Sequence, residues 1–351
     1  TYECVTCARM WHDDLKALVS GRTLLSRAAV DWALRRVALE SASISACART
    51  LGCSWNALDR AVRAHGMRIL SRSDPYARVT RIGVDEHVWR HGASGDRYVT
   101  VIVDLTPRAD GAPARLLDMV PGRSAQAFAN WLEARGARFR DRVEVVAMDA
   151  FSGWKQAAAR MLAHAVEVID PFHVVHLAAG RLTMVRCRLQ REATGRRGVK
   201  GERLYDCRRA LLKTASLRTP RQRERVDTLL ADPVNDALRL AHGAYQRIIA
   251  CYRHKDPRLG RRMMGALIDA LAEPAATRRC PELRSLGRTL KRRRADILAY
   301  FTHQHSSNGP TEAINGRLET LRGIAMGFDN FEHYRQRSLI HSGRIKDILT
   351  H

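Results

Sequence analysis

The chain has 351 residues, enough for two or more domains with their own cores. Sixty Lys and Arg against 36 Asp and Glu give a formal charge of +24 and a pI near 10.7, the electrostatic footprint of a polyanion binder. Hydrophobic residues make up 45%, yet no apolar run approaches the roughly 18 residues of a membrane span, and no secretory signal is visible.

The chain opens at Thr1 with no methionine, which leaves room for an upstream portion. Eight cysteines are scattered through the sequence, the pattern of a reducing cytoplasm and not of a disulfide framework. Only Cys4 and Cys7 form a close pair. Cys-x₂-Cys is half of a tetrahedral zinc site, with His12 as a candidate third ligand. No second pair lies nearby, so two incidental thiols are the favoured reading of residues 1–21.

Residues 22–72 read as a helical unit. Leu24, Leu25, Ala28, Ala29, Trp32, Leu34, Val37 and Leu39 approximate one apolar face. A short helix, Ile44 to Leu51, is followed by Gly52 and then by a helix from Trp55 to His65, capped by Ser54. Two short helices across a tight glycine turn give the helix-turn-helix pattern, in which Trp55, Asn56, Arg60 and Arg63 would face a DNA groove.

From Arg78 the period changes to two. Val79–Trp89 and Arg97–Asp104 predict a β-hairpin, with a third strand near Ala114–Met119. A helix follows over Ser124–Arg138, with Ala127, Phe128 and Trp131 inward, then a buried strand over Val143–Met148 that delivers Asp149. A helix over Trp154–Ala165 and a fifth strand over Val166–Asp170 complete the series. Three antiparallel strands, a helix, a parallel strand, a helix and a last strand are the order of a ribonuclease-H-like α/β domain, here 78–176.

Residues 177–304 revert to helix and are strongly basic, with one cluster that includes Arg196 and Arg197 and a second that includes Lys291, Arg292 and Arg293. Too long for an unstructured loop, this stretch reads as a helical insertion that lays a positive surface beside the core. Residues 305–351 return to the core: Ser307-Asn-Gly-Pro-Thr-Glu312 starts a helix, and a final helix ends near Ile348.

Asp85 and Asp149 end apolar runs, where packing gives a carboxylate no reason to sit, and Glu312 opens a helix far downstream. Hard divalent cations take such oxygen ligands and bridge them to phosphate. Asp104 also ends a strand and competes with Asp149; Glu86 neighbours Asp85 but alternates to the opposite face; Glu319 lies two turns after Glu312. His173 and His176 are spaced as a helical pair, for which a phosphate-contact or structural role is preferred to metal ligation. Trp89 and Trp154 read as core.

The stretches Gly83-Val-Asp85-Glu-His, Met148-Asp149, Asp170-Pro-Phe-His173-Val-Val-His176, Ser307-Asn-Gly-Pro-Thr-Glu312-Ala-Ile-Asn315 and Gly327-Phe-Asp-Asn-Phe331 resemble the DDE transposases of bacterial insertion sequences, of the IS-L-three type. The resemblance covers about 22–345. It implies a catalytic, metal-holding triad of Asp85, Asp149 and Glu312 using two Mg²⁺ (or Mn²⁺) ions, phosphodiester hydrolysis at the element's terminal inverted repeats, and strand transfer to target DNA. Double-stranded DNA is the implied partner, a homodimer or larger assembly forms on it, and the location is the bacterial cytoplasm at the nucleoid. The family usually begins with a cysteine finger, of which only Cys4 and Cys7 stand here. A serine recombinase would leave three displaced acids unexplained. The other readings are a catalytically inactive helix-turn-helix regulator and a related Mg²⁺-dependent nuclease or resolvase.

Overall fold

A computed structural model describes residues 2–11, 25–91, 97–107, 111–149, 152–275, 277–303 and 306–350. His12 and Leu24, both named above, lie outside the described residues. At the start, β1 (Tyr2–Glu3) and β2 (Met10–Trp11) form a small antiparallel ribbon on which Tyr2 stacks against Trp11.

Three helices follow: α1 (Arg27–Leu39), α2 (Ile44–Leu51) and α3 (Trp55–Leu70). Ser26, Ser43 and Ser54 each cap one of them, accepting a backbone N–H three residues on. Gly52 turns α2 into α3 with φ of 62°, a left-handed conformation that disfavours residues with a Cβ. Ala33, Leu34, Val37, Leu58 and Val62 form the core of this unit. Trp32 and Leu39, expected on the inner face of α1, are partly exposed, because the true apolar stripe runs through Ala33, Leu34 and Val37.

The central sheet contains β3 (Arg81–Val88), β4 (Tyr98–Asp104), β5 (Arg115–Pro121), β6 (Val145–Met148) and β7 (Val166–Ile169), in the spatial order β5-β4-β3-β6-β7. The first three are antiparallel; β3, β6 and β7 run parallel. This mixed sheet fits the ribonuclease-H-like arrangement expected from the strand order. One face is covered by α4 (Ala125–Ala134), the short α5 (Ala137–Arg140) and α6 (Ser152–Met161), through Phe128, Trp131, Leu132 and Trp154. Gly136, with φ of 78°, divides the single helix expected over 124–138 into α4 and α5. The strands are mostly fully buried rather than alternating, as a sheet covered on both faces requires.

After β7 the chain enters α7 (Pro171–Thr194), then α8 (Arg203–Asp206), α9 (Arg208–Leu212), α10 (Pro220–Ala231), α11 (Asp236–Tyr252), α12 (Pro257–Ala272), α13 (Pro281–Arg292) and α14 (Arg294–Ala299). These helices share their own core of Leu182, Val185, Ile248, Met264, Ile268 and Leu286. Arg188 on α7 grips Glu282 on α13 through two nitrogens, at 2.8 and 3.3 Å. The bundle is fastened to the sheet where α14 lies along β7: Lys155 bridges Glu167 (2.5 Å) and Asp296 (2.6 Å).

The other face of the sheet takes α15 (Gly309–Ile324) and α16 (Phe331–Ser342), and α17 (Ile345–Thr350) closes the chain. Ile314, Leu318, Leu321 and Tyr334 pack on Val99, Val101 and Val103 of β4. The N-terminal helices are built onto these last ones. Ile340 and Ile345 belong to the core of α1–α3, and a Cβ on Gly66 would lie 2.6 Å from Ile340 Cδ1. Arg337, almost wholly buried, pairs with Asp59 of α3 at 3.3 Å.

Candidate functional site

Three aspartates form a row across the parallel strands. Val84, Met148 and Ile169 are register partners on β3, β6 and β7, and the residue after each is an aspartate: Asp85, Asp149 and Asp170. β6 and β7 end level with the middle of β3, so the parallel register sets these positions side by side. Asp104 ends an antiparallel strand and therefore falls at the other end, opposite Ile82, where it accepts from Thr106 N–H and Arg115. Its role is structural.

Glu312 arrives from the opposite layer. It sits in the first turn of α15, a helix pressed onto β3 so closely that a Cβ on Gly83 would overlap Thr311 Oγ1. The helix is fixed by polar contacts along β3 and β7. Asn308 donates its backbone N–H to Asp170 Oδ1 (2.9 Å) and its side-chain amide to the Val84 carbonyl (3.4 Å). Asn315, one turn beyond Glu312, donates to Asp85 Oδ2 (3.0 Å) and to the Glu86 carbonyl (3.1 Å). The Ser-Asn-Gly-Pro-Thr-Glu stretch is thus a clamp as well as the carrier of an acid.

His173 completes the cluster. Asp170 begins α7, its Oδ2 accepting the Phe172 N–H at 3.0 Å, and one turn of helix brings the His173 ring back over the row. Its Nδ1 lies 3.7 Å from Asp170 Oδ2 and its Nε2 lies 4.0 Å from Asp149 Oδ2. Ligand atoms of Asp170, His173 and Glu312 lie within 4.8 Å of one another. His176 stays outside, exposed and stacked on Phe172. Among the described residues the candidate metal cluster takes in His173 and not His176.

The electrostatics of this cluster favour a cation. Asp85 is pushed up to about 7, first by burial and then by the charges of Asp149 and Glu312, against the pull of the Glu86 N–H and His173. Glu312 is also raised, by desolvation and by Asp170. His173 is raised by the Asp170 carboxylate and by Asp149 and Asp85, so its positive form is favoured there. Carboxylates that resist ionising together, with a cationic side chain drawn among them, are the donor set that a divalent ion relieves.

The remaining acids are occupied elsewhere. Glu86 pairs with Arg123 and Glu319 with Arg322. Among the nine positions expected to meet DNA, Trp55, Asn56 and Arg60 are exposed on α3, and Arg196, Arg197, Lys291 and Arg292 are exposed on the bundle. Arg196 pairs with Glu202 and Lys291 with Asp269. Two positions differ from expectation. Arg63 turns inward to Asp59 (2.7 Å) and Gln336 (2.8 Å), because α16 covers that side of α3. Arg293 is 8% exposed beside Asp296 at the α13–α14 junction.

Cys4 and Cys7 lie on one tight turn of the β1–β2 ribbon, where the backbone N–H groups of Thr6 and Cys7 lower the Cys4 thiol. No disulfide is present among the described residues.

Residues 82–338 match the family model of the IS-L-three-type DDE transposases, described as transposase. The chain belongs to this family. It is 28% identical over 309 residues to the transposase for insertion sequence element IS1557 of Mycobacterium tuberculosis, in strain CDC 1551 / Oshkosh and equally in strain ATCC 25618 / H37Rv. That alignment takes in 81% of this chain and 66% of each relative, so the chain spans just under two thirds of their length. The IS-L-three transposase family implies a divalent metal, and the matched stretch includes Asp85, Asp149, Asp170, His173 and Glu312. Among the described residues no helix is long and apolar enough to cross a membrane.

The sequence reading missed Asp170 and undervalued His173. The signal was present: Asp170 follows an apolar strand just as Asp149 does, but Pro171 behind it suggested only a stop.

Proposed function

We propose that this chain is a metal-dependent DNA transposase whose catalytic residues are Asp85, Asp149 and Glu312. It would cut the phosphodiester at the ends of its element and join the freed 3′-hydroxyls to target DNA. The observation that carries the reading is the row of aspartates on adjacent parallel strands, met from the facing layer by Glu312.

These three residues would hold Mg²⁺ (or Mn²⁺), as a pair of ions. When bound, such ions neutralise the scissile phosphate and lower the pKa of the attacking water or hydroxyl. The chain's own work is placement. Asn315 holds Asp85 in its orientation through Oδ2, and Asn308 fixes the start of α15 so that Glu312 stays over the row. His173 sets a positive charge beside Asp149. No protein nucleophile is needed.

DNA would be held in two places. Trp55, Asn56 and Arg60 on α3 form an exposed stripe after the Gly52 turn, suited to reading the terminal repeats as a helix-turn-helix. Arg196, Arg197, Lys291 and Arg292 give the bundle a basic face for phosphates, without sequence preference. Two ends must be brought together, so an assembly of at least two copies on DNA is part of the reading. Cys4 and Cys7 are read as two incidental thiols; zinc retained after dialysis, and lost in Cys7→Ser, would make them half of a zinc site instead.

The deciding experiment incubates the protein with a labelled element end and Mg²⁺ beside Asp149→Asn. The variant should bind the DNA with near-parental affinity and lose nicking by at least a thousandfold. Equal nicking by both proteins would defeat the mechanism, and binding without nicking by the parent would favour an inactive regulator.

A further inference from the structure

Phe172 sits at the lip of the acid cluster with 58% of its surface exposed. Its neighbours in sequence, Asp170 and His173, point into the site, while its own ring faces solvent. It is held there: its backbone N–H is bound to Asp170 Oδ2, and its ring meets His173 edge-on (centroids 5.6 Å, 90°) and stacks on His176 (5.9 Å, 24°). The other strongly exposed aromatics among the described residues, Tyr2, Trp11, Trp32 and Trp55, belong to the N-terminal ribbon and helices. Phe172 and His173 therefore line one side of the acid row, with His176 behind Phe172.

We propose that Phe172 is a stacking platform for one nucleobase beside the scissile phosphate. This rests on the polynucleotide reading above and adds a substrate contact to it. Exposed apolar surface next to buried carboxylates serves neither packing nor metal binding. Of the groups a DNA substrate can offer, phosphates gain nothing from the apolar ring itself, and sugars have no flat surface to match it. A base has a π-face of the right size, and aromatic stacking accepts any base. Bases inside a duplex already have both faces covered, so the one that lands on Phe172 is unstacked from its neighbour at the cleaved end. His176, behind the ring, keeps Phe172 from rotating away, so little side-chain freedom is lost on binding.

The test places 2-aminopurine, one position at a time, around the cut site of a labelled end. Binding is read by fluorescence with Ca²⁺, and nicking with Mg²⁺. The variants are Phe172→Ala, Phe172→Leu and Phe172→Trp; an exposed ring leaves little packing to lose, and melting temperatures within a few degrees of the parent establish that each folds. The parent should show a fluorescence change at one position only. That change should vanish in Phe172→Ala and Phe172→Leu, with nicking reduced roughly five- to a hundredfold, the range expected of one base–aromatic stack. Phe172→Trp should keep both. Parental signal and rate in Phe172→Ala would overturn the proposal, and so would a uniform loss at every position or a Phe172→Leu that behaves as the parent. A parent that binds with the position-specific signal but never nicks would instead fail the catalytic reading and leave the platform standing.

Discussion

Asp170 Oδ1 accepts the backbone N–H of Asn308 at 2.9 Å, across 138 positions of sequence. The partner oxygen takes the Phe172 N–H at 3.0 Å, so one buried carboxylate ties the starts of α7 and α15 together. These two helix starts carry His173 and Glu312.

Asp170→Asn keeps the shape but turns an NH₂ toward one of the two backbone donors. A buried donor is then left unmatched, at a cost of about 1–3 kcal/mol. The expected outcome is a melting temperature lower by a few degrees and nicking reduced at least tenfold, with DNA binding by α3 unchanged. Parental nicking in a destabilised variant would mean that Asp170 serves folding alone.

Gly83→Ala tests the seat of α15. The new methyl would overlap Thr311 Oγ1 and touch Leu105, so α15 must shift off β3 and carry Glu312 and Asn315 with it. Overpacking of this kind costs about 1–3 kcal/mol. Chemical denaturation should register that loss, and nicking should fall further than stability does. The double change Gly83→Ala with Thr311→Ser keeps the clash with Oγ1, so rescue should come instead from Thr311→Ala.

Asp59 is the anion for Arg337, which is 3% exposed. Asp59→Ala strands that charge, and breaking a buried pair costs about 3–5 kcal/mol. The double replacement Asp59→Leu with Arg337→Met should recover most of the stability, measured by urea unfolding. A single variant as stable as the parent would show that Arg337 finds water or another partner.

His87, His242 and His341 are each held near 4, chiefly by burial; His242 also faces the Arg218 guanidinium, with Asp227 opposing it more weakly. Each folded value lies below the ordinary 6.5, so the unfolded chain binds more protons. Their stabilisation is complete above about pH 6.5 and is lost as pH falls toward 4. Asp85, raised to about 7, Glu312 and His173 act in the opposite direction over this range, and the prediction is that the three buried histidines outweigh them. Thermal melts between pH 7 and 4 should show a falling Tm, and His242→Gln should flatten the curve.

Much of the central sheet was legible in the sequence because strand order and alternation carry it. Asp149 was preferred to Asp104 on its motif, and the topology supplies the physical reason: a parallel strand ends beside Asp85, an antiparallel one beside Ile82. The inward turns of Arg63 and Arg293 were not legible, since each depends on a helix far along the chain or on a junction that helical periodicity does not reveal. Asp170 was hidden by its second task as a helix cap. A residue that does two jobs shows only the nearer one to a local reading.

The packing of α3 on α16 through Gly66 and Ile340 has a consequence measured in base pairs. If α3 reads the terminal repeats as proposed, its attachment to α16 would make it a ruler with fixed graduations. One nucleotide inserted between the bases it touches and the bond to be cut would carry that bond about 3.4 Å along the strand. Such a misspaced end should still be gripped and should not be cut.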